Sequence, residues 1–360
     1  MRILHVLNHA QDVGNGIVNA AVDLACWQAQ AGLEVAIISS GGEYESLMKQ
    51  YRIRHFTLKI PRSPLDVIKF ARAFREITQI FLPDVVHAHM VRGVISAKTL
   101  RGNSDYVLVS TVHNEWQFHA SLMGIADRVI AVSRSVARSM QHRGIPLQKL
   151  HIVANGTIGS PRRPPLDHVK PLPLQHPAIT TVAGLYPRKG IRDLLEAFVQ
   201  VADESPAAHL YLVGNGPHRA AFERQAQQSA HSGRIHFEGF QTEPQRYLLS
   251  TDIFVLASRQ EPFGLALSEA REAGCAIVAS NVDGIPEVLE GGNAGQLVRS
   301  GDVKALSQAL LGLLRCRKDL ESWKHRAQTN LDWLRVERVH QETLEVYQAA
   351  IAEMTRTVCA

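Results

Sequence analysis

Residues 253–270 of the chain read IFVLASRQEPFGLALSEA. The first five residues form an apolar run of the length expected for a buried parallel strand, and the part from Pro262 onward has the composition of a helix. The polar turn between them directs backbone N–H groups and the positive end of a helix dipole toward an anion above the strand. Glu261 and Glu269, with seven residues between them, supply acceptors for hydroxyl groups. This combination suits a sugar nucleotide.

Apolar runs of strand length recur on both sides of this segment. In the second half of the chain they lie at residues 179–183, 209–213, 235–237, 253–257 and 276–279. Helical patterns separate them at residues 191–203, 219–229, 262–273 and 303–314, the last behind Asp302 as a helix N-cap. Regular alternation of strand and helix predicts a parallel sheet with helices on both faces.

The first half of the chain repeats this alternation. Its predicted strands lie at residues 3–7, 35–39, 85–88, 107–112, 129–132 and 151–153, and its clearest helices at residues 18–31 and 65–81. The predicted fold class is therefore α/β, with two doubly wound, Rossmann-like domains that face a central cleft. Ligands in such sheets bind at the carboxyl ends of the strands.

The domain boundaries follow from a proline-rich stretch. Six prolines fall between residues 157 and 178, without apolar periodicity, and this predicts a linker over residues 161–177. Residues 1–160 then form the N-terminal domain and residues 178–335 the C-terminal domain.

The composition is that of a soluble globular protein of 360 residues, long enough for two domains. The cysteines, Cys26, Cys275, Cys316 and Cys359, have the spacing of neither a zinc site nor a disulfide framework, which favours a reducing compartment. The opening apolar run ends at Asn8 without a cleavage-like sequence, so it predicts a strand rather than a signal peptide. No run has the length of a membrane span. The expected location is the cytoplasm, with the inner face of the membrane as an alternative.

Positive charge is concentrated in the first half of the chain. Residues 1–165 hold 19 basic and 11 acidic side chains, a net charge of +8, whereas the remainder holds 20 and 23, a net charge of −3. Lys69, Arg72 and Arg75 recur at helical spacing. The pattern allows peripheral contact with an anionic membrane, with a solvated amphipathic helix as the alternative, and co-sedimentation with anionic vesicles distinguishes the two. Nucleic-acid binding is not indicated, because aromatic residues are few and no recognised module is present.

Several strand ends carry residues that could act on a ligand. Gly16 precedes a helix, where a glycine allows close approach of a phosphate or serves turn geometry alone. His113 ends an apolar strand and could orient a hydroxyl or move a proton, although the chain holds 17 histidines and many are structural. Arg188 and Lys189 stand at a predicted helix start, where the dipole disfavours cations unless an anion binds between them. Gly214 begins a turn suited to a flat base or to simple chain reversal.

A metal site is not expected. No Asp-x-Asp pair is present to hold a divalent cation against a diphosphate, so cationic side chains and helix ends would have to stabilise it. His87 and His89 alternate along a strand, and packing is the favoured interpretation because no third ligand lies nearby in the sequence.

Five motifs in order resemble those of the retaining glycosyltransferases of the GT-B fold, family 4, also called glycosyltransferase group 1. They are EPFGLALSE at 261–269, PRKG at 187–190, VH at 112–113, ADRVIAVS at 126–133 and NG at 155–156. The similarity covers nearly the whole chain. It implies a nucleotide-sugar donor, UDP- or GDP-linked, without a further cofactor, and a glycan, lipid-linked glycan or small acceptor. It also implies that a C-terminal helix, residues 336–360, crosses back onto the N-terminal domain.

The resemblance also implies roles for individual residues of the second domain. Glu269 would bind the ribose hydroxyls, and Glu261 the hydroxyls of the transferred sugar. Arg188 and Lys189 would stabilise the leaving diphosphate as its charge grows. The backbone amides of three turn residues would hold the sugar or phosphates, and these are Phe263, Gly264 and Leu265.

In the first domain, His113 would contact the sugar and Gly16 would lie against the phosphates. The chain departs from the family at Gly184, where an arginine is expected, and at Asn15, where the family has a second glycine. Two alternatives stay open. One is a non-hydrolysing sugar-nucleotide epimerase of the same fold, and the other is a non-catalytic sugar-binding subunit of a glycan assembly system.

Overall fold

A computed structural model describes residues 1–59, 64–102, 104–116 and 119–359. The chain divides into two compact units, which are described separately. Unit 1 comprises Met1–Arg162 together with Leu334–Ala360, and unit 2 comprises Arg163–Trp333.

Unit 1 is built on a seven-stranded parallel sheet. Its strands are β1 (Arg2–Val6), β2 (Glu34–Ser39), β3 (Arg54–Thr57), β4 (Val85–Ala88), β5 (Val107–Val112), β6 (Arg128–Ala131) and β7 (Leu150–Ile152). Their order is β3-β2-β1-β4-β5-β6-β7. The helices between them are α1 (Gly16–Gln30), α2 (Glu45–Gln50), α3 (Pro64–Phe81), α4 (Val91–Thr99) and α5 (Arg134–His142). The strand order reverses between β1 and β4.

Unit 2 repeats the same topology with six parallel strands. They are β8 (Ala178–Val182), β9 (His209–Val213), β10 (Ile235–Gly239), β11 (Ile253–Leu256), β12 (Ala276–Ser280) and β13 (Gln296–Val298), in the order β10-β9-β8-β11-β12-β13. The helices are α6 (Ile191–Glu204), α7 (Arg219–Gln227), α8 (Gln245–Leu248), α9 (Leu265–Glu272), α10 (Ile285–Val288), α11 (Val303–Arg315) and α12 (Arg317–Ala327). Asp302 caps α11 as predicted, since its Oδ1 accepts from the Ala305 N–H at 2.9 Å. Here the order reverses between β8 and β11.

The long final helix, α13 (Val336–Cys359), belongs to unit 1. Its residues Val346, Tyr347 and Ala350 are buried in one core cluster with Ile3 of β1 and Val107 of β5. Burial of this apolar stripe fixes the helix against the sheet, because each fully buried aliphatic or aromatic side chain contributes roughly 1.5–3 kcal/mol.

The predicted α/β class with two Rossmann-like domains is confirmed, and two strands were missed. β3 reads RHFT and β13 reads QLV, and each lies at an edge of its sheet with partly exposed side chains. Neither carries the apolar run that marks a buried strand, because an edge strand need not be covered on both faces. The helix predicted from residue 262 begins only at Leu265, so Glu269 lies just over one turn into α9.

The basic helix α3 presents its cations to solvent. Lys69, Arg72 and Arg75 are exposed, and Val67 and Ile68 beside them are 53% and 62% exposed. Within the described residues, no helix combines the length and apolar character that a membrane span requires.

Arg271 is the largest fully buried side chain of unit 2 and connects α9 to its surroundings. Its Nε donates to the Ala327 carbonyl at 2.9 Å and its Nη1 to the Val288 carbonyl at 2.6 Å. Its Nη2 donates to the Thr329 carbonyl at 2.6 Å and to Glu290 Oε1 at 2.7 Å. Burial lowers the pKa of the guanidinium, and the Glu290 carboxylate opposes that shift. The interaction therefore holds α9 against the ends of α10 and α12.

We expect Arg271→Leu to lower the free energy of unfolding by about 3–5 kcal/mol, because it leaves two buried carbonyls, a partly buried carbonyl and a carboxylate without their donor. Arg317→Leu, on the exposed face of α12, is the matched control and should change stability by less than about 0.5 kcal/mol. Urea denaturation of the full chain measures both. Equal effects of the two substitutions would contradict the assignment.

Candidate active site

In unit 2, the loops that follow β8 and β11 leave the sheet at adjacent strand ends. β9 lies on one side of this pair and β12 on the other, so the chain turns to opposite faces after β8 and after β11. A crevice at such a point is where open α/β sheets bind ligands. The predicted residues Arg188 and Lys189 lie in the first loop, and Glu261 lies in the second.

A close backbone contact holds the two loops together. Pro187–Lys189 form a 3₁₀ turn, and Gly190 follows with φ 65° before α6 begins. A Cβ atom at Gly190 would lie 1.8 Å from the Ala257 carbonyl oxygen, so any side chain there is excluded. The Arg188 carbonyl accepts from the N–H groups of Arg259 at 2.8 Å and Gln260 at 3.3 Å. The prediction that the two cations open a helix is wrong, because they end the 3₁₀ turn that precedes α6.

Glu261 is nearly buried and is held from three sides. Its carboxylate forms an ion pair with the Lys189 ammonium, whose side chain is 15% exposed, and accepts from Ser258 Oγ at 3.2 Å. The Glu261 N–H donates to Asp283 Oδ2 at 2.8 Å, and its carbonyl accepts from the Gly284 N–H at 3.0 Å. The carboxylate position is thus determined by groups from three different loops.

Asp283 adds a second carboxylate beside Glu261. Burial raises its pKa, the Glu261 N–H that it accepts lowers it, and the negative charge of Glu261 raises it again. Asp283 has φ 47°. Its contact with the Glu261 N–H gives this loop a structural role.

The turn between Glu261 and α9 carries backbone donors that have no acceptor among the described residues. Gly264 has φ 90° and immediately precedes α9. In the described part of the chain, the N–H groups of Phe263, Gly264 and Leu265 have no hydrogen-bond acceptor within the protein. The Phe263 ring itself is buried, edge-on to Trp333 with ring centroids 6.3 Å apart. The start of α9 is thus able to receive an anion.

Glu269 is bound by an arginine that sequence analysis missed. Arg163 Nη1 lies 2.9 Å from Glu269 Oε1, and the two side chains are 16% and 11% exposed. We orient the Gln245 amide so that its oxygen faces the same guanidinium, where it accepts from Nη1 at 2.9 Å and from Nε at 3.0 Å. Arg163 lies in the stretch predicted as a linker, where its role has no local sequence signal.

Gly214 has a structural explanation. Its φ is 140°, its N–H donates to the Gly239 carbonyl at 2.7 Å, and a Cβ atom would lie 2.0 Å from the Ala183 carbonyl oxygen. The close approach of two strand ends therefore requires glycine here, and the N–H group is already engaged.

Gly184, the departure from the family pattern, lies beside an aromatic ring. A Cβ atom there would come within 2.8 Å of the Tyr186 ring. The Arg188 guanidinium carbon lies 5.8 Å from the centroid of the same ring. The space beside Gly184 is thus occupied by Tyr186, which also faces Arg188.

In unit 1, the predicted residues lie at the carboxyl ends of β1 and β5. Gly16 is the first residue of α1, whose N-cap Asn15 accepts from the Ile17 N–H at 3.1 Å. His113 follows β5, and its Nε2 lies 3.2 Å from His89 Nδ1. Burial lowers the pKa of the His113 ring to about 4, so it is neutral near pH 7.

A third histidine, which no local sequence pattern indicated, lies beside His87 and His89. His5 on β1 lies next to them, and the ligand atoms of the three rings all lie within 4.8 Å of one another. His5 is 84 residues from His89 in the chain, and only the pairing of β1 with β4 brings them together.

The three rings are buried and mostly neutral. Burial lowers the pKa of His5 to about 4, against a smaller opposing effect of its hydrogen bond with Gln28. Burial and then the neighbouring rings lower the pKa of His87 and His89 well below the ordinary value. The packing interpretation of the pair is therefore extended to a cluster of hydrogen-bonded neutral rings.

Two Rossmann-like units with anion donors at the strand ends are typical of the GT-B fold. Among solved structures with that fold, the Anabaena protein Alr3699/HepE in complex with UDP-glucose has a TM-score of 0.83 and 18% identity, over 97% of this chain and all of that chain. That likeness establishes the fold.

The family follows from the sequence. Residues 163–330 match the model of the glycosyl transferases group 1, and residues 14–157 match the model of Glycosyltransferase Family 4. The chain belongs to the GT-B glycosyltransferases of group 1. It is 25% identical over 290 residues to the lipopolysaccharide core biosynthesis glycosyltransferase LpsE of Rhizobium meliloti, covering 78% of this chain and 80% of that protein. It is also 25% identical to the phosphatidyl-myo-inositol mannosyltransferase of Mycolicibacterium smegmatis, over 99% of this chain and 94% of that protein.

The neutral histidines predict a loss of stability in acid. Unfolded histidines titrate near pH 6.5, whereas His5 and His113 in unit 1 take up protons only near pH 4. Between these values the unfolded state binds more protons, so the free energy of unfolding falls as the pH is lowered, by up to ~1.4 kcal/mol per pH unit for each histidine.

Hydrogen exchange of the β1 and β5 amides from pH 7 to 5, corrected for intrinsic rates, measures this dependence. Substitution of the exposed His168 by Asn is the control and should leave the slope unchanged. A stability of unit 1 that stays constant over this range would contradict the prediction.

Proposed function

We propose that the protein is a retaining glycosyltransferase that moves a hexose or a hexose derivative from a UDP- or GDP-sugar, without a metal ion. The observation that carries the proposal is the meeting of Arg188, Lys189 and Glu261 at the adjacent ends of β8 and β11. Next to them lie the open N–H groups at the start of α9. A ligand with a diphosphate and a polyhydroxyl group matches this set of cations, donors and carboxylate.

The cations would act on the leaving group. When the glycosidic bond to the diphosphate breaks, negative charge grows on the phosphate oxygens, and Lys189 with Arg188 would stabilise it. Because Lys189 already pairs with Glu261, a diphosphate that shares the ammonium would bring its sugar next to that carboxylate. Glu261 would then accept hydrogen bonds from the hydroxyls of the transferred sugar.

Glu269 would bind the ribose of the nucleotide. A carboxylate offers two oxygens, which suits a pair of adjacent hydroxyls. Arg163 and Gln245 support this role. The Arg163 guanidinium donates to both Glu269 and Gln245, and this restricts the orientation of the Glu269 carboxylate. The family resemblance assigns His113 to the sugar and Gly16 to the phosphates, and we retain both assignments as part of the proposal.

We infer retention by a same-face mechanism. The bond between the anomeric carbon and the phosphate oxygen breaks, its electron pair goes to the diphosphate, and the acceptor oxygen bonds to the same face of the sugar. The leaving phosphate takes the acceptor's proton. Glu261 is not cast as a nucleophile, because hydrolysis by two carboxylates is a different design. The anomeric configuration of the product, read from its proton NMR spectrum, tests this step.

The acceptor is proposed to be a glycan, a lipid-linked glycan or a small molecule. LpsE is named for lipopolysaccharide core biosynthesis, and the mycobacterial relative is named for mannosyl transfer to phosphatidyl-myo-inositol. These names support a role in the assembly of polysaccharide or glycolipid. Our proposal places the protein in the cytoplasm.

We expect Glu269→Ala and Lys189→Ala each to lower kcat/KM for the accepted donor by about 100-fold or more, because each removes a charged contact from a mostly buried site. Glu243→Ala and Lys304→Ala, both at exposed positions of unit 2, are the matched controls and should keep full activity. Transfer from UDP-glucose, UDP-N-acetylglucosamine, GDP-mannose and ADP-glucose is measured for all four variants.

The same assay distinguishes the alternatives. Conversion of the donor into an isomeric sugar nucleotide would indicate an epimerase, and binding without turnover would indicate a non-catalytic subunit. Wild-type rates in both site variants would show that the site assignment is wrong.

Transfer should not depend on a divalent cation. The proposed contacts to the diphosphate come from two side-chain cations and the start of α9, so dialysis against EDTA should leave kcat unchanged. A loss of activity that added Mg²⁺ or Mn²⁺ restores would overturn metal independence.

A further inference from the structure

A row of ring-to-ring contacts connects His113 to the interior of unit 1. His113 Nε2 lies 3.2 Å from His89 Nδ1, and His89 Nε2 lies 3.0 Å from His5 Nδ1. The row ends at Gln28 of α1, whose Oε1 lies 2.7 Å from His5 Nε2. His5, His89 and Gln28 are buried, with at most 3% of each exposed.

The last contact sets the direction of every hydrogen bond in the row. A distance of 2.7 Å suits an N–H donor facing the amide oxygen. If the amide were reversed, its nitrogen would lie 2.7 Å from His5 Nε2. That distance is short for a hydrogen bond between two nitrogen atoms, because nitrogen is larger than oxygen. The amide nitrogen then faces the Tyr347 hydroxyl, 3.4 Å away. His5 Nε2 is therefore the donor, and Gln28 Oε1 is the acceptor.

Each neutral imidazole has one donor and one acceptor, so the direction passes from ring to ring. Burial lowers the pKa of all three rings, which keeps them neutral at pH 7. Because His5 donates through Nε2, its Nδ1 accepts from His89 Nε2. His89 Nδ1 must then accept from His113 Nε2. His113 is left with an unprotonated Nδ1, to which no group among the described residues is hydrogen-bonded.

We infer that Gln28 is a positioning residue that fixes His113 in its Nε2–H form through His5 and His89, so that His113 Nδ1 acts as a hydrogen-bond acceptor. A ligand hydroxyl is the partner that this atom can take. The inference rests on the proposed function only for the identity of that hydroxyl, which would belong to the transferred sugar. The proton arrangement in the protein does not depend on it.

The same geometry argues against a metal ion among the histidines. His5 and His89 use both ring nitrogens in the row. The third ring, His87, uses Nδ1 with the Tyr347 hydroxyl at 2.5 Å and Nε2 with Thr111 Oγ1 at 2.6 Å. A metal would have to replace bonds that already satisfy each ring, so the close approach of the three ligand atoms is explained without one.

Long-range ¹⁵N–¹H correlation spectra of the full chain, labelled at histidine, read the tautomer of each ring directly. Comparison with His113→Asn assigns the His113 signals. We expect protonated Nε2 and unprotonated Nδ1 for His113 at pH 7.5. An Nδ1–H form, a mixture of both forms or a charged ring in the wild-type protein would overturn the inference, whatever the variants do.

Gln28→Met removes the amide acceptor while keeping the length of the side chain. We expect His113 to populate both tautomers and kcat to fall about 10- to 100-fold, with the donor KM little changed. Gln28→Glu retains an acceptor oxygen and should retain the Nε2–H form and most of kcat. Gln141→Met, an exposed position on α5, is the control and should change neither quantity.

The outcomes separate the two proposals. If His113 populates both tautomers in Gln28→Met and kcat stays at the wild-type value, the positioning role is wrong, although the tautomer assigned to the wild-type protein is correct. If the wild-type protein shows the Nε2–H form and transfers from none of the donors tested, the proposed function fails alone. If Gln28→Met does not fold, the wild-type spectrum and Gln28→Glu still decide the inference.

Discussion

The site of unit 2 depends on one backbone contact, the approach of Gly190 to the Ala257 carbonyl. No room for a Cβ atom remains at that point, and the Arg188 carbonyl accepts from two N–H groups of the facing loop. The contact joins the loop that carries the cations to the loop that carries Glu261. Without it, the Lys189 ammonium and the Glu261 carboxylate would lie on two independent loops. The entropic cost of ordering both loops would then reduce the free energy of ligand binding.

Each carboxylate of the site is held by a cation or a backbone donor before any ligand contact is considered. Glu261 pairs with Lys189, Glu269 with Arg163, and Asp283 accepts from the Glu261 N–H. A partly buried carboxylate without such a partner would pay a large desolvation cost. These contacts offset that cost and fix the orientation of each carboxylate. Arg271 fixes the position of α9 in a similar way, by donating to three carbonyl groups outside that helix.

The strand ends of unit 1 differ from those of unit 2, because the histidines that meet there are neutral. The histidines at the ends of β1, β4 and β5 satisfy one another, and Gln28 and Tyr347 close the network from α1 and α13. A neutral network avoids the cost of buried charge, but it requires every proton to be ordered. That requirement links the C-terminal helix to the protonation of the histidines, since the Tyr347 hydroxyl accepts from the Gln28 amide nitrogen.

Much of the fold could be read from the sequence, because buried parallel strands appear as apolar runs and glycines mark the loops that leave them. The strand ends that carry Gly16, His113, Arg188, Lys189 and Glu261 followed from the same runs. The edge strands β3 and β13 left no such trace, since partly exposed strands need no apolar run. Tertiary structure alone decided the partners: Arg163 with Glu269, Asp283 with the Glu261 backbone, and His5 with His89. These pairs are separated by 22 to 106 residues, and the order of strands in each sheet, which no local pattern encodes, is what brings them within hydrogen-bond distance.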